Sequence, residues 1–352
     1  MGTITGTYDI NTLLATRNAS VAEFGLDTVQ TVLQADIAAH NAVVMEMVSE
    51  LCDISPDRQR VYGTSAAGEM VEVDEYGRAP TQRVLTGASV GFPMRLFQYA
   101  IGWTRKWFES RTPADMAQAV LGAESAHLRA IQREIKKAIF LSANYTFKDF
   151  LVDNVSLSVK RLLNADSAEI PAGPNGETYD GATHDHYNAA STLAAADLLA
   201  NVNDVIEHGH GGMVKLAINK ADEAAVRLLT GFTAYPDPRL VLRATDAPGE
   251  TLDISRLDNR AIGIFGGAEV WVKPWTPANY FLAWDAASPN KPLVFRQRAA
   301  TSLQGLRIAA DIDDYPLYAQ YMEAEYGIGV WTRTNGAVLY VGGSSYVDPT
   351  IT

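Results

Sequence analysis

The sequence contains almost no cysteine, no long apolar run and few basic residues. Cys52 is the only cysteine among 352 residues, so an intramolecular disulfide and a metal site built from several thiolates are excluded. No stretch approaches the roughly 18 consecutive apolar residues of a membrane-spanning helix. The chain also does not start with a basic segment followed by an apolar one, as a secretory signal peptide does. These absences predict a protein of a reducing cytoplasm with no membrane partner.

Negative charge outweighs positive charge. The chain has 29 Lys and Arg residues against 41 Asp and Glu residues, which gives a net charge of −12. A general nucleic-acid binder needs a basic surface for phosphate groups, so this balance argues against that class, although one local basic patch is compatible with it. The length predicts about two domains with a sizeable core.

Two long helices are predicted in the N-terminal half. The first lies within residues 20–51 and opens at Ser20 with a capping box. The second covers 113–143, where Thr112 is the expected cap and Pro113 takes the first helical position. This second helix would be about 45 Å long, which favours a flat or elongated molecule.

Between these helices, residues 61–100 alternate polar and apolar positions on both sides of the turn sequence "DEYGRA". This pattern predicts a long β-hairpin. The apolar residues that flank or occupy its turn are Met70, Val71, Val73, Tyr76, Val84 and Leu85. A hairpin with so little apolar surface cannot bury a face of its own, and such a hairpin usually extends to a partner.

Helices and strands alternate in the predicted C-terminal half. They are a helix at 189–209, a strand at 213–219, a short helix at 220–231, three strands within 261–285 and a β-hairpin at 320–343. The strongest turn signal of the chain, Asn335-Gly336, lies in that last hairpin.

Three stretches carry a more specific signal: "VKLAINKADEAAVRLL" (214–229), "GIFGGAEVWVKPWTPANYFLAWD" (263–285) and "EYGIGVWTRTNGAVLYVGG" (325–343). Together with the order of the elements, they resemble the major capsid protein of tailed bacteriophages, the Hong Kong 97 fold, which encapsulin shells share. The resemblance covers nearly the whole chain, and its motifs are patterns of a fold rather than of an active site. It implies an α+β fold with an N-terminal arm, an extended E-loop β-hairpin and a long spine helix.

The resemblance also implies a division of the chain. The expected parts are an N-terminal arm (1–60), the E-loop hairpin (61–100), a peripheral or P domain with the spine helix 113–143 (101–187), an axial or A domain (188–315) and a C-terminal return to the P domain (316–352). In this family the arm and the E-loop reach onto neighbouring subunits. We therefore expect a subunit interface at Val71, Val73, Tyr76, Arg78, Arg83, Val84, Leu85, Trp103 and Trp107. The two tryptophans have a second interpretation, as packing at the root of the hairpin.

The function implied by the resemblance is structural, without catalysis or a cofactor. Pentamers and hexamers of the chain would form an icosahedral shell around double-stranded DNA, held by non-specific contact, in a virion capsid assembled in the bacterial host cytoplasm. Some family members carry a fused scaffolding segment ahead of the arm. Since the arm here begins at Met1, we expect a separate scaffolding protein, together with a portal.

One family property is not expected. Some members join an E-loop lysine covalently to an asparagine of a neighbour, but residues 61–100 contain no lysine. Their basic residues are Arg78, Arg83 and Arg95. An arginine stays protonated and cannot replace the amine nucleophile that this reaction needs. The contacts between subunits are therefore predicted to be non-covalent.

Two other functions remain open. The first is an encapsulin-like compartment around a cargo enzyme, which no motif separates from a phage capsid. The second is a metal-dependent hydrolase that uses His184 and His186 in "GATHDHYNAA", with Asp185 between them, since these residue types bind Zn²⁺ or Ni²⁺.

The placement of the other nearby histidines argues against a metal site. The pair lies in a turn-rich loop, and His208 and His210 follow a predicted helix of about 30 Å. One site within a subunit that contains all four of these histidines is therefore not expected, and the sequence predicts no bound metal.

Overall fold

Long helices dominate the first third of the chain and strands dominate the rest. The computed structural model describes residues 8–62, 70–81, 87–235 and 259–351. Its α-helices are α1 (Ile10–Ala15), α2 (Val21–Phe24), α3 (Leu26–Val48), α4 (Arg105–Ser110), α5 (Pro113–Phe140), α6 (Ala195–Ile206) and α7 (Glu223–Arg227). Its strands are β1 (Cys52–Ser55), β2 (Gln59–Tyr62), β3 (Ala88–Gly91), β4 (Arg95–Thr104), β5 (Tyr145–Lys148), β6 (Ser156–Val159), β7 (Tyr187–Ala190), β8 (Val214–Ile218), β9 (Thr233–Ala234), β10 (Arg260–Phe265), β11 (Ala268–Val272), β12 (Tyr280–Asp285), β13 (Leu293–Gln297), β14 (Arg307–Asp314), β15 (Leu317–Val330) and β16 (Ala337–Val341).

The first predicted helix is interrupted near its start. The Ser20 hydroxyl accepts from the Glu23 backbone N–H, and the Glu23 carboxylate accepts from the Ser20 N–H, so the predicted capping box is present. Gly25 then has a φ of 101°, in the left-handed region that glycine adopts without steric cost. The chain bends there, and a second helix, α3, continues for 23 residues to Val48.

The spine helix α5 begins at the predicted residue, Pro113, and ends at Phe140 rather than at 143. Its 28 residues correspond to a length of about 42 Å. Thr112 and Asp115 form a second capping box at its start. At its end the Tyr187 hydroxyl lies within 3.1 Å of the Ile139 carbonyl oxygen and 3.0 Å of the Leu141 carbonyl oxygen, which provides a donor for terminal carbonyls that lack a partner inside the helix.

The larger core lies between α3, α5 and a five-stranded sheet. The strand order of this sheet is β1-β13-β15-β14, and β4 also pairs with β15. The helical period of the sequence predicts one apolar stripe along α5, formed by Met116, Val120, Leu128, Ile131, Ile135 and Ile139. All of these side chains are buried here except Leu128, which is partly buried. Side chains of α1 to α3 belong to the same cluster. The described part of the expected N-terminal arm therefore packs on its own chain, because its apolar face covers the spine helix.

A smaller core lies on a seven-stranded mixed sheet of order β7-β16-β12-β8-β11-β10-β9. Leu198, Val202 and Val205 of α6 are fully buried in this core. The three strands predicted within 261–285 are present as β10, β11 and β12. The predicted helix at 189–209 is wrong in its first part, since residues Tyr187–Ala190 form β7 and pair in parallel with β16.

The predicted β-hairpin at 320–343 is also wrong. Strand β15 pairs with β4, β13 and β14, whereas β16 pairs with β7 and β12 in the other sheet. The Asn335 side chain is fully buried between the two strands. Its oxygen accepts from the Asp285 N–H at 2.8 Å, and its amide donates to the Asn290 carbonyl at 2.9 Å. Asn335 thus stabilises the connection through which the chain passes from one sheet to the other. It does not occupy a two-residue hairpin turn.

No helix in the described parts of the chain is both long enough and apolar enough to cross a membrane.

Carboxyl groups and histidines meet in the contact between α3 and α5. Glu124 is 8% exposed, and within the described residues neither its Oε1 nor the Oδ2 of Asp36 has a hydrogen-bond partner. Burial, and then the charge of Asp36, raises the pKa of Glu124 to about 7. His40 and His127 lie beside it with ring nitrogens 3.1 Å apart. Burial lowers the pKa of both histidines, so neither supplies a positive charge at neutral pH.

We expect Glu124→Gln to stabilise the chain above pH 7. The pKa of this carboxyl rises from an ordinary value of 4.5 to about 7 on folding. The folded state therefore binds more protons, and stability falls as the pH rises through this window. The glutamine amide does not titrate, so the variant lacks this loss of stability with rising pH. At about pH 8 its free energy of unfolding should exceed that of the wild type by roughly 1 kcal/mol after allowance for solvent screening.

Denaturant unfolding at several values between about pH 4 and 8 would measure this. Glu46→Gln, at an exposed position of α3, is the matched control and should leave the pH profile unchanged. A Glu124→Gln variant that is less stable at every pH would show that the carboxylate has a favourable partner.

Candidate functional site

Residues 70–81, which we call the exposed loop, project from the body of the chain. Every one of them is exposed, and several are apolar: Met70 (104%), Val71 (46%), Val73 (47%) and Tyr76 (89%). Arg78 is exposed as well. An apolar patch of this kind, rimmed by charged side chains, marks an interaction surface more often than a solvated one.

The exposed loop differs from the predicted β-hairpin. Strands β2 and β3 pair in antiparallel fashion at its root, and the described residues 70–81 contain no strand. A paired ribbon is not favoured here because the loop has no apolar face to bury against its own chain. Three further residues of the expected interface, Arg83, Val84 and Leu85, lie outside the described residues.

The tip and the root of the exposed loop are each fixed locally. At the tip, Asp74 accepts hydrogen bonds from the backbone N–H groups of Tyr76 and Gly77, through its side chain at 3.1 Å and its carbonyl at 3.0 Å. A Cβ on Gly77 would lie 2.9 Å from the Asp74 carboxylate, so this turn requires glycine. At the root, Val90 and Phe92 are buried against Val294. The tip turn and the strand pair at the root are thus each held by local contacts.

A second exposed surface lies at the tip of the ribbon formed by β4, β15 and β14. The turn between β14 and β15 contains a cis Tyr315-Pro316 bond. Three apolar side chains around this turn are exposed: Ile312 (49%), Tyr315 (83%) and Leu317 (58%). These three side chains therefore leave apolar surface in solvent at the ribbon tip.

Trp103, one of the residues expected at the subunit interface, lies in the core of its own chain. It is 5% exposed within its own chain. Its ring centroid lies 5.8 to 6.0 Å from those of Trp107, Phe108 and Tyr318. Packing of strand β4 against α4 explains this burial. Trp107 is half-buried at the edge of the same aromatic group. This placement favours the packing interpretation of the two tryptophans, and an interface role stays a prediction.

Three histidines and a glutamate converge at one point of the chain. The Nε2 atom of His184 lies 3.2 Å from that of His186 and 2.9 Å from that of His208, and the His186 and His208 Nε2 atoms are 3.2 Å apart. Oε1 of Glu207 lies 3.2 Å from His184 Nε2 and 3.7 Å from His208 Nε2. We call these four residues the histidine cluster.

The expectation that a helix keeps His208 far from His184 and His186 is therefore wrong. Strand β7 leads away from the histidine pair, the chain turns, and helix α6 leads back. Because the strand and the helix run in opposite directions, both ends of this unit meet. Asp185 does not join the cluster, since its carboxylate accepts from the Tyr187 N–H at 2.9 Å. His210 also lies apart, 3.0 Å from the Thr334 hydroxyl.

The imidazoles of the cluster are neutral at physiological pH. Burial lowers the pKa of all three, to about 3 for His208, where the charge of His184 adds to the effect of burial. Nδ1 of His186 lies 2.7 Å from the Gly336 carbonyl oxygen, so it carries the proton and Nε2 presents a lone pair. A neutral imidazole whose other nitrogen donates to a carbonyl is the usual form of a metal ligand.

The described residues thus form an α+β architecture with a spine helix packed on one sheet, a second mixed sheet and an exposed loop on a strand-paired root. This is the Hong Kong 97-like capsid fold. The chain is similar to the solved structure of Mycobacterium phage Patience, with 20% identity and a TM-score of 0.68 over 99% of this chain and 96% of that one.

Weaker likenesses link it to other solved structures. For the capsid of a native GTA particle the identity is 14% and the TM-score 0.48, over 84% of this chain and 90% of the other. For the SrpI encapsulin complex of Synechococcus elongatus the values are 11% and 0.42, over 84% and 86%. No protein-family model and no curated protein matches the sequence.

Substitutions at Trp103 and Tyr76 should have very different effects on the free energy of unfolding, because the first side chain is buried and the second is solvated. Trp103→Ala should lower the free energy of unfolding of the unassembled chain by about 3–5 kcal/mol, because it empties a buried aromatic site. Tyr76→Ala should change it by no more than about 0.5 kcal/mol, because the ring is solvated. Urea unfolding, monitored by far-ultraviolet circular dichroism, measures both free energies. This signal reports backbone structure and does not rely on tryptophan fluorescence. Equal effects of the two substitutions would refute this assignment.

Proposed function

We propose that this chain is a structural major capsid protein, many copies of which assemble into an icosahedral shell around the double-stranded DNA of a tailed phage. One observation carries the proposal: the chain shares its fold with the Mycobacterium phage Patience structure over almost its whole length. No catalytic role is proposed, since shell formation requires contact surfaces rather than a reaction.

The exposed loop supplies one of these surfaces. Its apolar side chains contact little of their own chain, while its root is anchored by buried residues. In the proposed shell the loop lies along an adjacent subunit and buries Val71, Val73 and Tyr76 there. Each such contact contributes little free energy, but the contacts add up because every subunit of a closed shell makes and receives one.

The ribbon tip supplies a second surface. A closed shell needs contacts within each ring of five or six subunits and other contacts between rings, so a single patch is not enough. Ile312, Tyr315 and Leu317 form an exposed apolar group on an element separate from the loop root. We assign this group to a second type of subunit contact.

The remaining partners follow from the same proposal. The net charge of −12 suits a container that holds DNA without adhering along its length, since a strongly basic wall would bind phosphates everywhere. We expect a separate scaffolding protein and a portal to take part, and assembly to occur in the bacterial cytoplasm before the shell becomes the virion capsid. We propose the division into arm, E-loop, P domain and A domain with the residue ranges that were predicted from the sequence.

Electron microscopy of the chain expressed alone, and with co-expressed scaffolding protein, tests the proposal. We expect closed shells or rings of five and six subunits. The triple variant V71S/V73S/Y76S should lose most of this assembly while the thermal stability of the unassembled chain stays the same, because these side chains are solvated before association.

Leu228→Ser is the matched control, since Leu228 is 86% exposed on a different element, and it should assemble normally. A wild-type chain that stays monomeric under both conditions would overturn the proposal. Shells that contain a cargo enzyme instead of DNA would replace the phage capsid with an encapsulin-like compartment.

The subunits of the proposed shell should separate completely in sodium dodecyl sulfate. The segment that forms the exposed loop has no lysine, so it cannot supply the amine for an isopeptide bond. Shells aged for several days and then boiled in detergent should run as one band at the size of a single chain. A ladder of oligomers that resists both detergent and reductant would contradict this expectation.

A further inference from the structure

We infer that His184, His186, His208 and Glu207 form a structural zinc site within each subunit. The four ligand atoms all lie within 4.8 Å of one another. A tetrahedral zinc ion with bonds of 2.0–2.1 Å separates its nitrogen ligands by about 3.3 Å. The three Nε2 atoms are 2.9, 3.2 and 3.2 Å apart, so one ion fits between them with only small shifts.

Hydrogen bonding alone does not account for this arrangement. Each Nε2 atom either carries a proton or presents a lone pair, and a hydrogen bond needs one of each. Around a ring of three atoms these two roles cannot alternate. At least one pair of Nε2 atoms therefore faces proton to proton or lone pair to lone pair, whatever the tautomers are. A cation at the centre removes this conflict, because it attracts all three lone pairs at once.

The surroundings of the cluster hold its rings in place, and for His186 they supply the carbonyl partner that a metal ligand usually has. The Gly336 carbonyl lies 2.7 Å from His186 Nδ1, and His186 itself is completely buried. The ring of Tyr179 packs on those of His184 and His208, with centroid distances of 4.9 and 4.3 Å. The Tyr179 hydroxyl donates to the Glu207 carbonyl at 2.7 Å. Outer contacts of this type fix ring orientation and raise metal affinity.

The donor set favours a structural role over catalysis. Three histidines and one carboxylate fill the four positions of tetrahedral zinc, whereas a catalytic zinc keeps one position for water. The Glu207 side chain is 39% exposed, which leaves a route for the ion to enter.

The bound ion would join three segments that are distant in sequence or separated by a turn. These are the loop before β7, the C-terminal end of α6 and, through Gly336, the start of β16. It would therefore clamp the edge of the seven-stranded sheet. Since zinc binds the folded chain, it should raise the unfolding temperature.

The test uses the full chain, stripped with a chelator and then titrated with zinc chloride. We expect about one zinc per chain by mass spectrometry of the metal, together with a higher unfolding temperature. Cobalt(II) chloride is the second probe, and it should give the intense visible absorption of tetrahedral cobalt rather than the weak bands of an octahedral ion.

Two histidine variants make the test specific. His208→Gln should weaken zinc binding by at least about tenfold. His210→Gln is the matched control, because this imidazole is close in sequence but outside the cluster, and it should bind zinc like the wild type. Should either variant fold poorly, the wild-type titration decides alone. The inference is overturned if the stripped wild-type chain takes up no zinc, if both variants bind equally, or if the cobalt spectrum is octahedral.

Discussion

The packing of the spine helix on strand β15 is the contact on which the rest of the structure depends. Helix α5 has 28 residues and β15 has 14, and the buried side chains of both belong to one apolar cluster. Helices α1 to α3 cover the same helix, while β4, β13 and β14 pair with the strand. The exposed loop and the ribbon tip both leave from strands in contact with this unit. In the proposed shell, the rigidity of this unit would set the position from which each surface reaches a neighbour.

Features encoded by neighbouring residues could be predicted from the sequence. The starts of α2 and α5 were predicted because Ser20 with Glu23 and Thr112 with Asp115 act within one helical turn. The buried stripe of α5 and the strands between 261 and 285 were predicted because apolar periodicity reflects which face is covered. The order of these elements also led to the correct fold, which the likeness to the phage structure supports at 20% identity.

Features that depend on distant partners were missed. Nothing local indicates that the strand before Asn335 pairs with β4, β13 and β14, so the turn signal there was taken for a hairpin. The histidine cluster escapes prediction for a similar reason, because the helical pattern of 189–209 extends into residues that in fact form β7 and pair with β16. Glu207 lies in "EHGH", directly after the helix, and nothing local marks it as a ligand. Its role depends on a reversal of the chain that only the folded sheet imposes.

The exposed loop also determines how the proposed shell would respond to temperature. Its apolar side chains are solvated in the single chain, and in the proposed shell they would be covered on association. Burial of apolar surface releases ordered water, and near room temperature its driving force is almost entirely entropic. That force weakens on cooling. Assembly through this loop would thus be endothermic or nearly athermal, and a shell held by non-covalent contacts of this kind would loosen in the cold before its subunits unfold.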